Sequence, residues 1–347
     1  MKSFIDLDRS FSSQPREIGP QLARIDIGRG KEQLFLDQAP QVLRRLSEDA
    51  RVESITASNE IEGIRVEPGR AEKLAEGSLR FRNRSEKEFS GYRDALDELV
   101  KADSAEPVSI PLILRLHRQI FQYTDARGGY LKSDPNLITS RESGEKKIVF
   151  EPPSPEDTPF LLEELVVRYN QAQAENSAHP LVLLGAFVVD FLAIHPVADG
   201  NGRLARLLTT RELLLRGYGV ARYVSIEQRI WETKNAYYSS LYESQLGWRE
   251  GDQVVWPFVG YLLTVLAGAY ETFESRVTAV RKVTGSKQDQ VRSYLLEQAG
   301  SDFSLREIEK ALTGISRPTI RLVLNELRDR GEIRSDGSGP ASRWHRI

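Results

Sequence analysis

Apolar residues recur at helical spacing over most of this chain and alternate over very little of it. Val42, Leu43, Leu46, Ala50, Val52 and Ile55 carry a helical pattern from about Lys31 to Ile61, broken near Pro40, with Gly63 placed to cap its C-terminus. Glu86–Ala102 repeats the pattern with Tyr92, Leu96 and Leu99 on one face, and Ile110–Phe121 with Leu112, Leu114, Leu116 and Ile120. Phe160–Ala174, Leu204–Leu215, Ile230–Leu246 and Trp256–Glu274 continue it. Leu181–Ile194 is apolar at almost every position, yet Gly185 and Asp190 interrupt it and it falls short of the roughly 20 residues of a membrane span. It reads as a buried helix. The exception to the helical period is Leu137–Phe150, where Ile138 and Ile148–Phe150 flank the polar Arg141–Lys146 and predict a β-hairpin ended by Pro152, Pro153 and Pro155. Residues up to about Pro20 show no period and read as an irregular lead-in.

After Thr284-Gly285-Ser286, a linker by composition, the plan changes. Gln290–Gln298, a Ser304-capped Leu305–Leu312 and a Thr319–Arg330 helix opened by Ser316-Arg317-Pro318 precede two short strands, Glu332–Arg334 and Arg343–Ile347, around the Gly- and Ser-rich 335–342. Three helices and a hairpin predict a winged helix-turn-helix, a fold that lays its last helix in the DNA major groove, with Arg317, Arg321 and Arg328 on or near that helix. Residues 281–347 hold 13 Lys+Arg against 9 Asp+Glu, an excess that permits phosphate contacts without demanding them. Protein docking or dimerisation is the competing use. The expected architecture is therefore mainly α: an N-terminal helical region (1–105), a helical core with a small β-hairpin flap (106–280), and a C-terminal winged-helix domain (284–347).

Composition narrows the classes. The 347 residues carry a formal net charge of −2, so nothing pulls the whole chain toward nucleic acid or an anionic membrane. There are no cysteines, which excludes disulfides and thiolate metal sites and fits a cytoplasmic setting. Met1–Pro20 lacks the apolar core of a signal peptide.

The chemistry concentrates in His195–Arg206, H-P-V-A-D-G-N-G-R-L-A-R, between two predicted helices. Pro196 fixes φ and has no N–H, so the first helix should end at or near His195. Asp199-Gly200 and Asn201-Gly202 are turn pairs that bring backbone amides close to a ligand. Arg203 then opens the second helix, whose free N–H groups and dipole favour an anion. A histidine, a carboxylate, a glycine-rich turn and two arginines make a nucleotide-phosphate site.

This stretch resembles the signature of the Fic family, H-x-F-x-[DE]-G-N-G-R-x-x-R, whose best-known members transfer AMP from ATP to protein hydroxyls. It matches at His195, Pro196, Asp199, Gly200, Asn201, Gly202, Arg203 and Arg206, and departs at Val197, where the family has Phe. The resemblance implies His195 as general base, Asp199 on Mg2+, and Gly200, Asn201, Gly202, Arg203 and Arg206 around the phosphates of ATP. Tyr237 and Tyr238 would stand beside adenine and ribose. Relatives that act as kinases have Lys where this chain has Gly202. The hairpin, with Ile148, Val149 and Phe150, would be the flap that pairs with an extended segment of a protein substrate bearing a Ser, Thr or Tyr hydroxyl, this chain itself included.

Upstream, Ser58…Glu62-Gly63 resembles the family's inhibitory motif [S/T]-x-x-x-E-[G/N]. Taken alone, a Ser and a Glu four apart line a solvated helix face. The resemblance instead pairs Glu62 with Arg206; Glu60 is near but off the motif's spacing. It implies an autoinhibited protein adenylyltransferase that uses ATP and Mg2+, and it leaves open the removal of AMP at the same site, a nucleotide-sensing DNA-binding regulator with little turnover, and homo-oligomers. His117 reads as a packed or surface histidine.

Overall fold

A computed structural model of the chain describes all residues except 1, 6, 8–10, 12, 37–39, 102–105, 143–144, 284–286, 301, 337–342 and 347; side chains are further left undescribed at 2, 40–41, 101, 139–148, 279–283 and 297–298. The predicted linker at 284–286 and the tip of the predicted wing at 337–342 thus lie outside the described residues. The chain is mostly helical with small antiparallel sheets. Its contacts divide it into two units, residues 1–33 with 43–273, and residues 34–42 with 274–347. No helix among the described residues is long and apolar enough to cross a membrane.

The first unit holds α1 (Ile18–Leu36) up to Gln33, α2 (Pro40–Ile61) from Leu43, α3 (Pro68–Ala75), α4 (Arg84–Lys101), α5 (Ile110–Phe121), α6 (Thr158–Glu175), α7 (Pro180–Ile194), α8 (Asn201–Leu215), α9 (Ile226–Glu232), α10 (Lys234–Gln245) and α11 (Trp256–Val283) up to Phe273. A hairpin of β1 (Ile138–Glu142) and β2 (Glu145–Phe150) lies between α5 and α6, pairing Thr139 with Ile148 and Ser140 with Lys147. The unit is built around α7, in which every residue from Leu181 to Ile194 is buried. That explains its missing amphipathic period: a helix apolar all round has neighbours all round. It packs against α6, α8 and α10. Asp190, the charged interruption, is satisfied by the backbone N–H and hydroxyl of Ser3 and by the indole of Trp248.

Several elements differ from the sequence expectation. The lead-in is not irregular throughout: a 3-10 turn forms at Lys2–Phe4, and α1 begins at Ile18 rather than Lys31. This helix has almost no apolar face and carries Gly28, where a Cβ would stand 2.6 Å from the Tyr270 ring. Close approach to α11 holds it, and periodicity does not report close approach. The expected helix Ile230–Leu246 is two, divided at Thr233, whose hydroxyl donates to the Arg229 carbonyl. Helix α8 starts two residues ahead of Arg203, with Gly200 at its N-cap in the left-handed region (φ 90°). The short α3, with Pro68 in its first turn, gave no period long enough to detect.

The second unit contains α12 (Lys287–Ser293) with a π-helical turn (Tyr294–Gln298), α13 (Leu305–Ala311), α14 (Arg317–Asp329) and the strands β3 (Asp302–Ser304), β4 (Ile333–Asp336) and β5 (Arg343–Arg346) in the order β3-β5-β4. Its core joins Val291, Leu295, Phe303, Ile308, Ile320, Val323, Leu324, Leu327, Ile333 and Trp344. Ser304 and Glu307 form a reciprocal capping box, and Ser316 caps α14. Strand β3 was not anticipated. At three residues it is too short for alternation to register.

Candidate active site

Helix α7 ends at His195, a non-glycine residue in the left-handed region (φ 51°) whose N–H still reaches the Phe191 carbonyl. Pro196 prevents any continuation. The ring Nδ1 donates to the Leu192 carbonyl at 3.2 Å, so Nε2 is left as the proton acceptor. Burial, with Lys132 nearby, pushes the imidazole down to about 4, and at neutral pH it is uncharged.

The loop after His195 is pinned from inside. The Asn201 amide spans Val197, accepting from its N–H at 3.0 Å and donating to its carbonyl at 2.7 Å. Asn201 was expected among the phosphate contacts; its side chain is committed to the loop and shapes the cradle from behind. Asn136 donates to the carbonyls of His195 and Val197, and the Lys132 ammonium to that of Ile194. Val197 is fully buried, so the small side chain at the family's Phe position still fills an apolar socket.

Helix α8 presents its first two arginines very differently. Arg203, 1% exposed, donates to Glu88 at 2.7 Å, lies 5.0 Å over the Phe121 ring and turns one nitrogen toward Asp199 at 3.6 Å. Arg206 is bound by the end of α2: Nε donates to the Ser58 hydroxyl at 2.8 Å, and one terminal nitrogen to the Ser58 carbonyl at 2.9 Å and the Glu62 carboxylate at 2.8 Å. Helix α2 reaches it through a Schellman ending, in which Ile64 N–H bonds the Asn59 carbonyl and Gly63 N–H the Glu60 carbonyl, with Gly63 at φ 79°. Burial raises the Glu62 carboxyl, but Arg206, Arg203 and Lys234 outweigh it and hold the group below the usual carboxylate range. Gly202 is the space that admits it: a Cβ there would stand 2.2 Å from Glu62 Oε1. Glu60 takes no part in this contact.

His195, Gly202, Arg206 and Glu62 line one cavity of about 450 Å³ together with Tyr237, Tyr238, Leu241 and Tyr242 of α10 and Ile138 and Val149 of the hairpin. Tyr237 is buried beside Arg206, whereas Tyr238 is half-exposed. Phe150 packs its ring edge-on against Trp248 at 6.3 Å and is not among the residues that line the cavity. The side chain of Ile148 lies outside the described residues. Asp199, four residues on from His195, has its carboxylate 63% exposed and 3.9 Å from Arg84, and it is not among the residues that line the cavity. An accessible carboxylate is the hard oxygen donor that Mg2+ takes, one or two at a time together with phosphates. In the second unit, Arg317 is paired with Glu309 at 2.8 Å and Arg328 with Asp329 at 3.0 Å, while Arg321 is exposed. Acids thus offset two of the three arginines expected to face DNA.

Glu88, Lys132 and Asn136 escaped the sequence reading, and so did the hydrogen bonds of His117, which reads there as packed or surface. His117 is buried in α5, where Nδ1 accepts the Gly129 N–H at 2.9 Å, so Nε2 carries the proton and donates to the Asp199 carbonyl at 3.0 Å. It fixes the turn that carries Asp199. Burial drives His117, like His195, down to about 4. The unfolded chain therefore binds more protons than the folded one below pH ~6.5, and the stability present above that value is lost as pH falls toward 4. Each such histidine contributes at most about 3 kcal/mol. Thermal melts should show His117→Asn to be less acid-sensitive than wild type between pH 6.5 and 4.5. Parallel slopes would remove His117 from the account.

Residues 107–213 match the family model described as the Fic/DOC family. The chain carries a Fic domain. It is 27% identical over 188 residues to Protein adenylyltransferase Fic of Drosophila mojavensis, covering 53% of this chain and 36% of that protein. It is also 27% identical over 229 residues to Protein adenylyltransferase and cysteine protease IbpA of Histophilus somni (strain 2336), covering 60% of this chain and 5% of that one. The chain thus spans about a third of the length of the fly relative and a small fraction of the bacterial one. Among solved structures, a Fic family protein from Desulfovibrio desulfuricans superposes with a TM-score of 0.64 at 22% identity, covering 96% of this chain and 97% of its own. A Fic domain-containing signaling protein from Bacteroides thetaiotaomicron gives 0.62 at 24% identity, covering 74% and 98%. These two carry the same fold. The family match contains His195–Arg206, His117 and the hairpin; Ser58–Gly63 and α10 lie outside it.

Proposed function

We propose that the Fic domain of this chain transfers AMP from ATP to a hydroxyl of a protein, and that Glu62 restrains the reaction. The observation that carries the reading is one cavity shared by an uncharged histidine with a free Nε2 and by a buried arginine already holding a carboxylate. The first is what removal of a hydroxyl proton needs. The second is a strong anion site occupied by the chain's own anion.

In this reading the triphosphate lies along the start of α8. The N–H groups there and Arg206 take its charge, and Arg203 contributes from the loop side. Tyr237 and Tyr238 flank the nucleoside. Asp199 would hold Mg2+, which neutralises phosphate charge when bound. The target hydroxyl, presented along the hairpin, gives its proton to His195 Nε2 while its oxygen bonds the α-phosphorus. The bond from that phosphorus to the bridging oxygen of the β-phosphate breaks, and pyrophosphate leaves. Positioning and charge stabilisation supply most of the rate in such chemistry.

Incubation with Mg2+ and ATP labelled on either the α- or the γ-phosphate tests this, with cell lysate or the chain itself as target. Label should pass to protein from the α-position and not from the γ-position. Transfer from the γ-position would make the domain a kinase, and no transfer from either would end the proposal.

A further inference from the structure

One contact on the Glu62 helix belongs to neither the family signature nor the inhibitory motif. The Lys234 ammonium donates to the Ile61 carbonyl at 2.7 Å, one residue before Glu62. The same ammonium lies 5.1 Å from the Trp231 ring centre and 5.8 Å from that of Tyr238, which lines the cavity.

Its place on its own helix makes the contact informative. Lys234 is the first residue of α10, where a cation meets the positive end of the helix dipole and is disfavoured. The carbonyls at the C-terminus of α2 are the opposite case, an exposed partial negative charge that a cation stabilises. The Schellman turn satisfies the Asn59 and Glu60 carbonyls and leaves Ile61 to Lys234. The ammonium also acts on Glu62 through space, alongside Arg206 and Arg203. One side chain therefore joins the end of α2 to the cavity wall.

We propose that Lys234 is a positioning residue, a latch that seats the end of α2 so that Glu62 meets Arg206. This rests on the reading of Glu62 as a restraint. It assigns Lys234 to holding the restraint in place and not to binding nucleotide.

Hydrogen exchange tests the latch without requiring any reaction. In Lys234→Met, which keeps the length and apolar stem, the amides of Glu62, Gly63 and Ile64 should exchange about fivefold or more faster, as expected when a charge-assisted bond is lost. Lys234→Arg, which can still donate to a carbonyl, should stay near wild type. Titration with ATP and Mg2+ supplies the second readout. Lys234→Met should tighten ATP binding in the wild-type background and leave it unchanged in Glu62→Gly, where there is nothing left to seat. Unchanged exchange in Lys234→Met overturns the latch whether or not the domain transfers AMP. So does an equal loss of ATP affinity in both backgrounds, which would make Lys234 a nucleotide ligand. Faster exchange with no ATP binding in any form would uphold the latch and sink the transferase reading instead.

Discussion

Glu62→Gly should raise AMP transfer to protein by about tenfold or more and tighten ATP binding in parallel, the expected range for uncovering one charge-assisted contact. The carboxylate holds a guanidinium nitrogen at 2.8 Å inside the cavity that the triphosphate enters in the proposed reaction. Removing it leaves Arg206 anchored by two bonds to Ser58, so the guanidinium keeps its aim and gains a free direction. The helix loses little, since Glu62 sits at the cap itself and the Schellman bonds run through backbone. Glu62→Gln should release less than glycine, because the amide fills the same space without the charge. Mild acid should not mimic either substitution. The Glu62 carboxyl titrates below the ordinary range, so its pairing with Arg206 persists above that range and fails only as pH falls through the depressed value. The measurement is α-labelled AMP on protein, with His195→Ala as background. If transfer dependent on His195 were the same in Glu62→Gly and wild type, Glu62 would not be the restraint.

Why Glu62 could be found from sequence while its supports could not is a matter of distance along the chain. His195–Arg206 is one turn between two helices, so a linear spacing carries its geometry, and Ser58 and Glu62 are one helical turn apart. Arg203 meets Glu88 across 115 positions, and Lys132 reaches the Ile194 carbonyl across 62. In sequence each of these is one charge among the 28% of residues that are charged, indistinguishable from a solvated face. His117 reads in sequence as packed or surface, and it is packed, but its two ring bonds to Gly129 and Asp199 exist only once α5 lies under the loop. Asn201 is the converse case. A polar residue inside a phosphate motif invites a ligand role, yet its amide is spent on Val197.

His195→Ala in the Glu62→Gly background should lower AMP transfer by about 10²- to 10⁴-fold with ATP binding retained, the usual range for losing a positioned general base. Alanine also disturbs the backbone, because position 195 is left-handed at φ 51°, a region that histidine adopts more readily than alanine. Asparagine tolerates that region, so His195→Asn separates the two effects: it keeps the turn and still has no base. Both variants should be equally inactive. A folded His195→Asn with most of the activity would show that the proton leaves by another route. The pH profile gives an independent check. Because burial places the free imidazole at about 4, kcat/KM in Glu62→Gly should be flat from pH 8 to pH 6 and decline only toward that value. A decline centred near 6.5 would describe a solvated histidine. It would contradict the Leu192 bond and the burial on which the assignment of His195 rests.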